Sequence, residues 1–286
     1  GKGPSAKAPN RYGNMLRPED GARGLNFLTA AAYEVARERV QQGGGAVDDF
    51  RLFHNMLSSM PLCFNLFGPL VKDTALATRL LSALLPGEVQ EVTRVAMEYA
   101  PSPASNYLDD RTAFDAFIEY RQPGGRLAAL GIETKLTEPF SQKHYDRPSY
   151  RRWMKAADSP WRREAHERVA DIAHNQLWRD HLLAIALRDG RGSPYAACHL
   201  AVVYHPGDTH CTQVAAGYQK LLRPGDRTLC VWPLDALVGA WEPLAERVEA
   251  RDWLRELRRR YLDLHLSQPA HPEQSTEEAP RGLQGR

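Results

Sequence analysis

Three residues able to do chemistry lie in the middle of the chain: Asp115, Glu133 and Lys135. They fall in two strand-like runs, FDAFIEY and LAALGIETKLT, which are separated by the turn residues Pro-Gly-Gly at 123–125. This pattern predicts a β-hairpin. The second run is apolar as far as Ile132 and then carries a carboxylate and an amine. Burial would penalise both charged groups unless they have partners.

The hairpin geometry supplies those partners. Side chains alternate along a strand, so Glu133 and Lys135 share one face and Thr134 takes the other. If the hairpin is centred on Gly124, the numbers of directly opposed residues sum to 248, as 115 and 133 do. Asp115 then faces Glu133 with Cβ atoms roughly 5 Å apart. Two carboxylates at that distance repel unless a cation or a shared proton lies between them, whereas a register shifted by one residue would separate the pair.

An aspartate followed by a strand that bears Glu-x-Lys resembles the active-site motif of the PD-(D/E)XK nuclease superfamily. Several further blocks resemble a family of bacterial proteins described as restriction endonucleases. These blocks are LCFNLFGPL (62–70), MEYAP (97–101), YLDDRTAFDAFIEY (107–120), GIETKLTE (131–138) and NQLWRDHLL (175–183). The resemblance covers most of residues 20–262. The superfamily usually has proline just before its aspartate, where this chain has Phe114.

The resemblance implies a metal-dependent endonuclease that hydrolyses DNA phosphodiester bonds, with a role in bacterial defence or restriction. It implies Mg²⁺ as the cofactor, with Mn²⁺ able to substitute. Asp115, Glu133 and the carbonyl of Thr134 would hold the ion. Lys135 would orient the attacking water or stabilise the transition state.

Related nucleases often bring one more carboxylate to the metal from an early helix. Glu34 lies in a predicted amphipathic helix at 25–41, and Glu98 lies in a predicted strand within 89–99. We expect Glu34 to be the additional metal ligand, because a helix can deliver a long side chain across the sheet edge. The alternative for Glu34 is a solvent-facing or ion-paired side chain.

Two stretches are candidates for contact with nucleic acid. KHYDRPSYRR (143–152) interleaves basic and aromatic residues, and residues 161–189 read as one long helix. Basic residues interleaved with aromatics can follow phosphates and stack on bases. The alternatives are a mobile surface loop and a helix face that packs in the core. The six candidate side chains are Lys143, Arg147, Arg151, Arg152, Gln176 and Arg179.

The composition predicts one large α/β domain. The 286 residues are 43% hydrophobic, and the net charge of +2 makes any basic surface a local feature. Residues 1–20 read as a flexible N-terminal arm, 21–266 as a single nuclease-like domain and 267–286 as a disordered C-terminal tail. The strand–helix–strand order after residue 195 predicts a crossover within one sheet. The expected fold is therefore a central mixed β-sheet flanked by helices, the restriction-endonuclease-like PD-(D/E)XK core.

The four cysteines are scattered and form no CxxC pair, which favours reduced, mostly buried thiols in a cytoplasmic protein. His205, His210 and Cys211 could bind zinc, but HPGDTHC is more typical of a loop after a strand. The expected partners are DNA and a second copy of the chain, with no membrane. The alternative function is a catalytically silent nucleic-acid-binding or assembly protein that retains the nuclease fold.

Overall fold

The protein is described by a computed structural model that covers residues 3–4, 11–43, 47–156, 158–165 and 167–267. The strands in chain order are β1 (Gly3–Pro4), β2 (Arg11–Tyr12), β3 (Glu91–Tyr99), β4 (Phe114–Arg121), β5 (Leu127–Lys135), β6 (Tyr195–Tyr204) and β7 (Leu229–Pro233). The α-helices are α1 (Pro18–Ala22), α2 (Ala30–Gln42), α3 (Asp49–His54), α4 (Ser59–Lys72), α5 (Thr74–Leu84), α6 (Pro148–Met154), α7 (Asn175–Asp189), α8 (Thr209–Gln219), α9 (Leu234–Trp241) and α10 (Val248–Tyr261). Short 3₁₀ helices occupy Ala104–Asn106, Arg163–Ala165, Arg168–Ala170, Glu242–Leu244 and Leu264–Ser267.

Five strands form one mixed sheet in the order β3-β4-β5-β6-β7, and β1 pairs with β2 separately. β4 runs antiparallel to both of its neighbours, β3 and β5, whereas β5, β6 and β7 run parallel to one another. α7 lies between β5 and β6 in the chain, and α8 is the crossover from β6 to β7. The predicted central mixed sheet with flanking helices is therefore confirmed.

The hairpin has the predicted register. Ala116 pairs with Ile132 and Arg121 with Leu127, so opposed residue numbers sum to 248. The turn closes through hydrogen bonds from Gln122 N to Arg126 O at 2.8 Å and from Gly125 N to Gln122 O. Gly124 and Gly125 have φ of 89° and 80°, values that disfavour any residue with a Cβ. The two glycines thus fix the turn that sets the position of every residue on β5.

Helices cover both faces of the sheet and enclose two apolar clusters. The alternating residues Ala116, Ile118 and Tyr120 of β4 belong to the cluster that includes α2, α4, α5, α9 and α10. Phe117 of β4 and Ala129 of β5 belong to the cluster that includes α6, α7 and α8. The sheet is thus buried on both sides, and polar groups inside it require partners.

One predicted helix is wrong for about half of its length. Residues 161–189 were expected to be one helix, but regular α-helix begins only at Asn175. Trp161 forms an antiparallel bridge with Leu222, and Arg162 N donates to Leu221 O at 3.0 Å. The segment before α7 is therefore tied to the connection after α8, and this tertiary pairing overrides the helical pattern of the sequence.

The ends of the domain differ from the predicted segments in one respect. Residues 13–20 were assigned to the N-terminal arm, but Met15 bridges Asn55, and Leu16 N donates to His54 O at 2.9 Å. This stretch therefore lies against α3. Residues 1–2 and 5–10 of the predicted arm and 268–286 of the predicted tail lie outside the described residues.

All four cysteines carry free thiols, and three of them are buried. In the described part of the chain, no helix combines the length and the apolar character that crossing a bilayer would require.

Candidate active site

Three acidic residues, Glu98, Asp115 and Glu133, lie on the adjacent strands β3, β4 and β5. Met97 pairs with Ala116 and Tyr99 with Phe114, so Glu98 falls opposite Asp115. The β4–β5 pairing ends at Ala116–Ile132, and just beyond it the Asp115 side chain bonds to Thr134, the neighbour of Glu133 on β5. Burial, then repulsion from Glu133 and Glu98, raises the pKa of Asp115 well above its ordinary value. The sheet thus concentrates negative charge at a place where solvent can do little to screen it.

Glu133 and Lys135 form a buried ion pair on the α7 side of β5. Lys135 Nζ lies 2.8 Å from Glu133 Oε1, and only 8% and 6% of the two side chains is exposed. Gln176 of α7 contacts both partners: its Nε2 donates to Glu133 Oε1 at 2.5 Å, and its Oε1 accepts from Lys135 Nζ at 3.2 Å. The Gln176 Oε1 atom also accepts from Ser141 N at 2.7 Å. Gln176 therefore bridges the two charged side chains from α7, and its contact with nucleic acid stays a prediction.

The ammonium of Lys135 remains the favoured form despite its burial. Burial by itself lowers the pKa of Lys135, but Glu133, followed by Asp115 and Asp180, outweighs that effect and raises the pKa. The Nζ atom also lies 5.0 Å from the centre of the Phe140 ring. A permanently charged amine beside a carboxylate is suited to binding an anion or orienting a water molecule.

Asp115 is held from the other side of β5. Asp115 Oδ2 accepts from Thr134 N at 2.8 Å and from Thr134 Oγ1 at 2.7 Å. Thr134 Oγ1 also lies 3.4 Å from Ser59 O at the start of α4, so Thr134 faces α4 while its neighbours face α7. The predicted alternation of Glu133, Thr134 and Lys135 is thus confirmed. Asp115 contacts Thr134 directly, whereas we expected it to face Glu133.

Glu98 has an unusual backbone conformation within β3. Its φ is 50°, which is uncommon for a residue with a side chain and is strained within a strand. Arg39 of α2 donates to Met97 O at 3.2 Å and to Glu98 O at 3.3 Å. Burial and the proximity of Glu133 raise the pKa of Glu98 to about 7, although Arg39 and Arg51 oppose that shift.

Glu34 lies elsewhere, which corrects our expectation for the additional carboxylate. Its side chain is 61% exposed and lies 3.6 Å from Lys72 on α4, an ion pair on the surface. The apolar face of α2 is occupied by Val35 and Ala36, which pack into the core, so Glu34 points away from the sheet. Glu98, not Glu34, lies beside Asp115.

Asp180 on α7 is an acidic residue that sequence reasoning missed. It is 4% exposed, and its Oδ2 has no hydrogen-bond partner among the described residues. Burial, followed by repulsion from Glu133, raises its pKa well above the ordinary value. Residues four apart share a helix face, so Gln176 and Asp180 lie one above the other. Gln176 and Asp180, one turn apart on the same helix face and just before the apolar run LLAIAL (182–187), are the signal that could have found it.

A family model of the PD-(D/E)XK nuclease superfamily matches residues 2–263, nearly the whole chain. The chain belongs to this superfamily. Membership implies a nuclease that acts on nucleic acid, and the fold is that of the superfamily core. No curated protein and no solved structure is significantly similar to the chain.

Members of the superfamily generally use divalent metal ions, so the donor set was compared with what such an ion requires. In the described part of the chain, no three His, Cys, Asp or Glu side chains converge closely enough to hold a metal by themselves. Mg²⁺ usually takes one or two carboxylates and keeps several waters. Asp115 and Glu133 supply that number of hard oxygen donors. Burial, followed by repulsion from Glu133 and Glu98, raises the pKa of Asp115, and a cation would relieve the repulsion. The donor set is therefore of the kind that a divalent cation takes.

The six side chains expected to touch nucleic acid fall into three groups. Lys143, Arg147 and Arg152 are exposed, with Arg152 lying 4.8 Å from the Trp153 ring centre. Gln176 and Arg179, by contrast, are engaged inside the protein. Arg179 donates to Thr112 Oγ1 at 2.6 Å and is 15% exposed.

Arg151 is engaged in a different way. It forms an ion pair with Asp146, and its guanidinium lies 5.7 Å from the Trp178 ring centre. Its charge is thus partly neutralised at the surface by Asp146.

Proposed function

We propose that this protein is a Mg²⁺-dependent endonuclease that hydrolyses DNA phosphodiester bonds, with a role in bacterial defence. The observation that carries the proposal is the buried Lys135–Glu133 pair on β5, at 2.8 Å. The carboxylates of Asp115 on β4 and Glu98 on β3 accompany it. A cation and a positioned amine at one place on a sheet are the two groups that phosphodiester hydrolysis needs.

Asp115, Glu133 and the carbonyl of Thr134 would hold Mg²⁺, with Glu98 as the additional carboxylate. A bound cation would act as a Lewis acid on the scissile phosphate and would lower the pKa of a coordinated water. Arg39 supports this arrangement because it holds the carbonyls of Met97 and Glu98 and so maintains the strained conformation of Glu98.

Lys135 is the residue that would act on the attacking water or on the developing negative charge. Its ammonium has three N–H donors. Within the described residues, one goes to Glu133 and one to Gln176. The third donor is available for a water or a phosphate oxygen, and Gln176 fixes the direction in which it points. Lys143, Arg147 and Arg152 would contact phosphates farther along the strand.

The alternative is a silent protein in which Lys135 and Glu133 are only a structural ion pair. A structural pair requires one acid for one base. Here Asp115, Glu98 and Asp180 add further acids with raised pKa values to the same region. Burying additional carboxylates destabilises a fold unless they have another use. The excess of acids therefore favours the nuclease.

The test compares metal binding with chemistry. Wild-type protein should nick plasmid DNA with Mg²⁺ or Mn²⁺ and stop in EDTA. Asp115→Asn should lose both cleavage and metal-dependent thermal stabilisation, because one of the two negative charges is gone. Lys135→Ala should keep the metal-dependent stabilisation, since it removes a positive charge. Its cleavage rate should fall by roughly two to four orders of magnitude.

Glu34→Gln is the matched control, because it neutralises an exposed glutamate outside the site. We expect it to cleave and to bind metal like the wild type. If Asp115→Asn cleaves and binds metal like the wild type, the silent alternative is the better description. A parallel reaction on single-stranded RNA distinguishes a ribonuclease from a deoxyribonuclease.

A further inference from the structure

A polar cavity is bordered by α7, the helix whose Gln176 contacts Glu133 and Lys135. It has a volume of about 440 Å³ and lies between the loop that precedes β4 and the N-terminal half of α7. Its charged and aromatic lining residues are Asp109, Asp110, Arg111, Tyr145, Arg147 and Arg179. Three arginines and two aspartates in one cavity suit a ligand with both donors and acceptors better than a simple anion.

One wall of the cavity is a fixed aromatic surface. The guanidinium of Arg179 lies 4.3 Å from the centre of the Tyr145 ring. Arg179 is itself held by Thr112 Oγ1 at 2.6 Å and by Tyr150 Oη at 3.3 Å. Tyr145 is held through its backbone, because its N donates to Asn175 Oδ1 and its O accepts from Asn175 Nδ2, both at 2.9 Å. Arg179 covers one face of this preorganised ring, so a planar base would stack on the opposite face.

Two oppositely charged side chains line the cavity without pairing. Asp109 and Arg111 are both exposed. Among the residues that the structure describes, neither the Asp109 carboxylate nor the Arg111 guanidinium has a hydrogen bond or an ion pair. Arg147, by contrast, donates to the Asp109 carbonyl at 2.5 Å and so fixes the loop that presents the carboxylate. An unengaged acceptor and an unengaged donor therefore face one space.

We propose that this cavity binds a guanine base, stacked against Tyr145 and read by Asp109 and Arg111. Guanine offers two adjacent N–H donors, N1–H and the 2-amino group, that match a carboxylate, next to O6 and N7 acceptors that match an arginine. Adenine and cytosine place a ring acceptor where the carboxylate would lie. A bare phosphate is disfavoured, because two aspartates line the cavity.

Two connections along the chain link the cavity to the proposed active site. Asn175, which holds Tyr145, directly precedes Gln176, which contacts Glu133 and Lys135. Thr112, which holds Arg179, lies three residues before Asp115. The bound base would therefore belong to a nucleotide near the cleaved bond. Since its pairing edge is read, that base is unpaired, in a single strand or extruded from a duplex. This step rests on the proposed function.

The test measures nucleotide binding in EDTA by calorimetry. The probes are GMP, IMP, AMP and CMP, and IMP is guanine's analogue without the 2-amino group. GMP should bind, IMP should bind roughly tenfold more weakly, and AMP and CMP more weakly still. Asp109→Asn should weaken GMP binding at least tenfold, as should Arg111→Gln. Asparagine tolerates the positive φ of 55° at residue 109, so this variant keeps the loop conformation. Asp158→Asn, an exposed aspartate outside the cavity, is the matched control.

A second arm uses single-stranded oligonucleotides with one guanine or one hypoxanthine, assayed for cleavage position and rate with Mg²⁺. Cleavage next to guanine that falls on substitution with hypoxanthine supports the inference. Equal affinity for the four nucleotides, or GMP binding that survives Asp109→Asn in a normally melting variant, overturns it. GMP binding without any cleavage contradicts the proposed function and leaves the cavity as a guanine site. Cleavage without base preference contradicts the guanine site alone.

Discussion

Helices α4 and α7 cover opposite faces of the same sheet, and both are buried on most sides. The polar side chains of the two helices nevertheless have different kinds of hydrogen-bond partner. Asn65 is the polar residue at the centre of α4. Its side chain accepts from Leu28 N at 2.8 Å and donates to Asn26 O and to Tyr261 Oη. Every polar atom of that amide is therefore satisfied by groups that have no chemistry to perform.

A backbone carbonyl of α4 is likewise satisfied by another part of the protein. Pro69 lies inside the helix, where it cannot donate to the carbonyl of Asn65 four residues earlier. Trp253 Nε1 of α10 donates to that carbonyl at 2.7 Å instead. The proline would break an isolated helix, but here the carbonyl that it leaves free is the point at which α10 docks. Asn65, in the first half of the LCFNLFGPL block, therefore has a structural role.

On α7 the polar groups are only partly satisfied by the scaffold. His181 is a structural residue, since Tyr218 Oη and Thr228 Oγ1 flank its ring and burial lowers its pKa to about 3. Gln176 instead contacts the Glu133–Lys135 pair, and Asp180 leaves one oxygen unpaired in the described structure. Burial alone does not separate structural from functional polar residues; the identity of their partners does.

The largest effect should come from α4. Asn65→Ala removes three side-chain hydrogen bonds and leaves buried partners unsatisfied, which should lower the free energy of unfolding by roughly 3–5 kcal/mol. Urea unfolding measures this, and cleavage per folded molecule should be unchanged. Asn106→Ala, at an exposed asparagine, should stay within about 0.5 kcal/mol. A stable Asn65→Ala protein that has lost cleavage would place Asn65 against the substrate and erase the contrast with α7.

The next prediction concerns Glu98, whose protonation should make the stability of the fold depend on pH. Its pKa is about 7 in the folded protein against an ordinary 4.5, so the folded state binds more protons than the unfolded state between these values. Stability in EDTA should therefore rise as pH falls from 8 towards 5, by roughly 3 kcal/mol at most. Glu98→Gln should flatten that rise, whereas Glu34→Gln should not. Melting curves across this pH range are the measurement, and an unchanged slope in Glu98→Gln would assign the dependence to Asp115 or Asp180.

The sequence predicted the hairpin because its information is local. A Pro-Gly-Gly turn and two alternating runs determine the register, and the strand expected at 195–204 has those bounds in the structure. The spacing of Glu133, Thr134 and Lys135 then follows from strand geometry alone. What these residues contact was not predictable in the same way, because Gln176 and Ser59 come from distant parts of the chain.

The errors share one cause, which is long-range contact. Residues 161–174 have a helical pattern, but pairing with Leu221 and Leu222 prevents a regular helix. Glu34 was preferred to Glu98 because a helix can deliver a long side chain across the sheet edge. Nothing in the sequence shows that Arg39 holds the backbone of Glu98, which has a positive φ. Asp180 was missed because the helical pattern reports which side of a helix is buried and not what lies opposite.

Gln176 should affect chemistry more than stability. Gln176→Leu keeps the volume but no longer fixes Glu133 and Lys135, whose own 2.8 Å contact remains. Misplacement of a catalytic group by about 1 Å can reduce a rate about a hundredfold, so cleavage should fall on that scale. The melting temperature should change little. Gln142→Leu, at an exposed glutamine in the following loop, is the control. If Gln176→Leu unfolds the protein yet cleaves normally when folded, α7 is a structural helix like α4.

The smallest effect should come from Asp180, and its sign is informative. Asp180→Asn replaces a buried, incompletely paired carboxylate with a neutral side chain of the same shape. The folded pKa of Asp180 is raised, so its ionisation destabilises the fold increasingly as pH rises above the unfolded value. The variant should therefore be more stable than the wild type at pH 8 by about 1 kcal/mol, which is roughly 2–4 °C in melting temperature for a chain of this size. That gain should shrink as pH falls and vanish below about pH 3, where the carboxylate is protonated in both states. Loss of stability at pH 8 would instead make Asp180 the required counter-charge of Lys135 and Arg179, and α7 would then satisfy its polar groups as fully as α4 does.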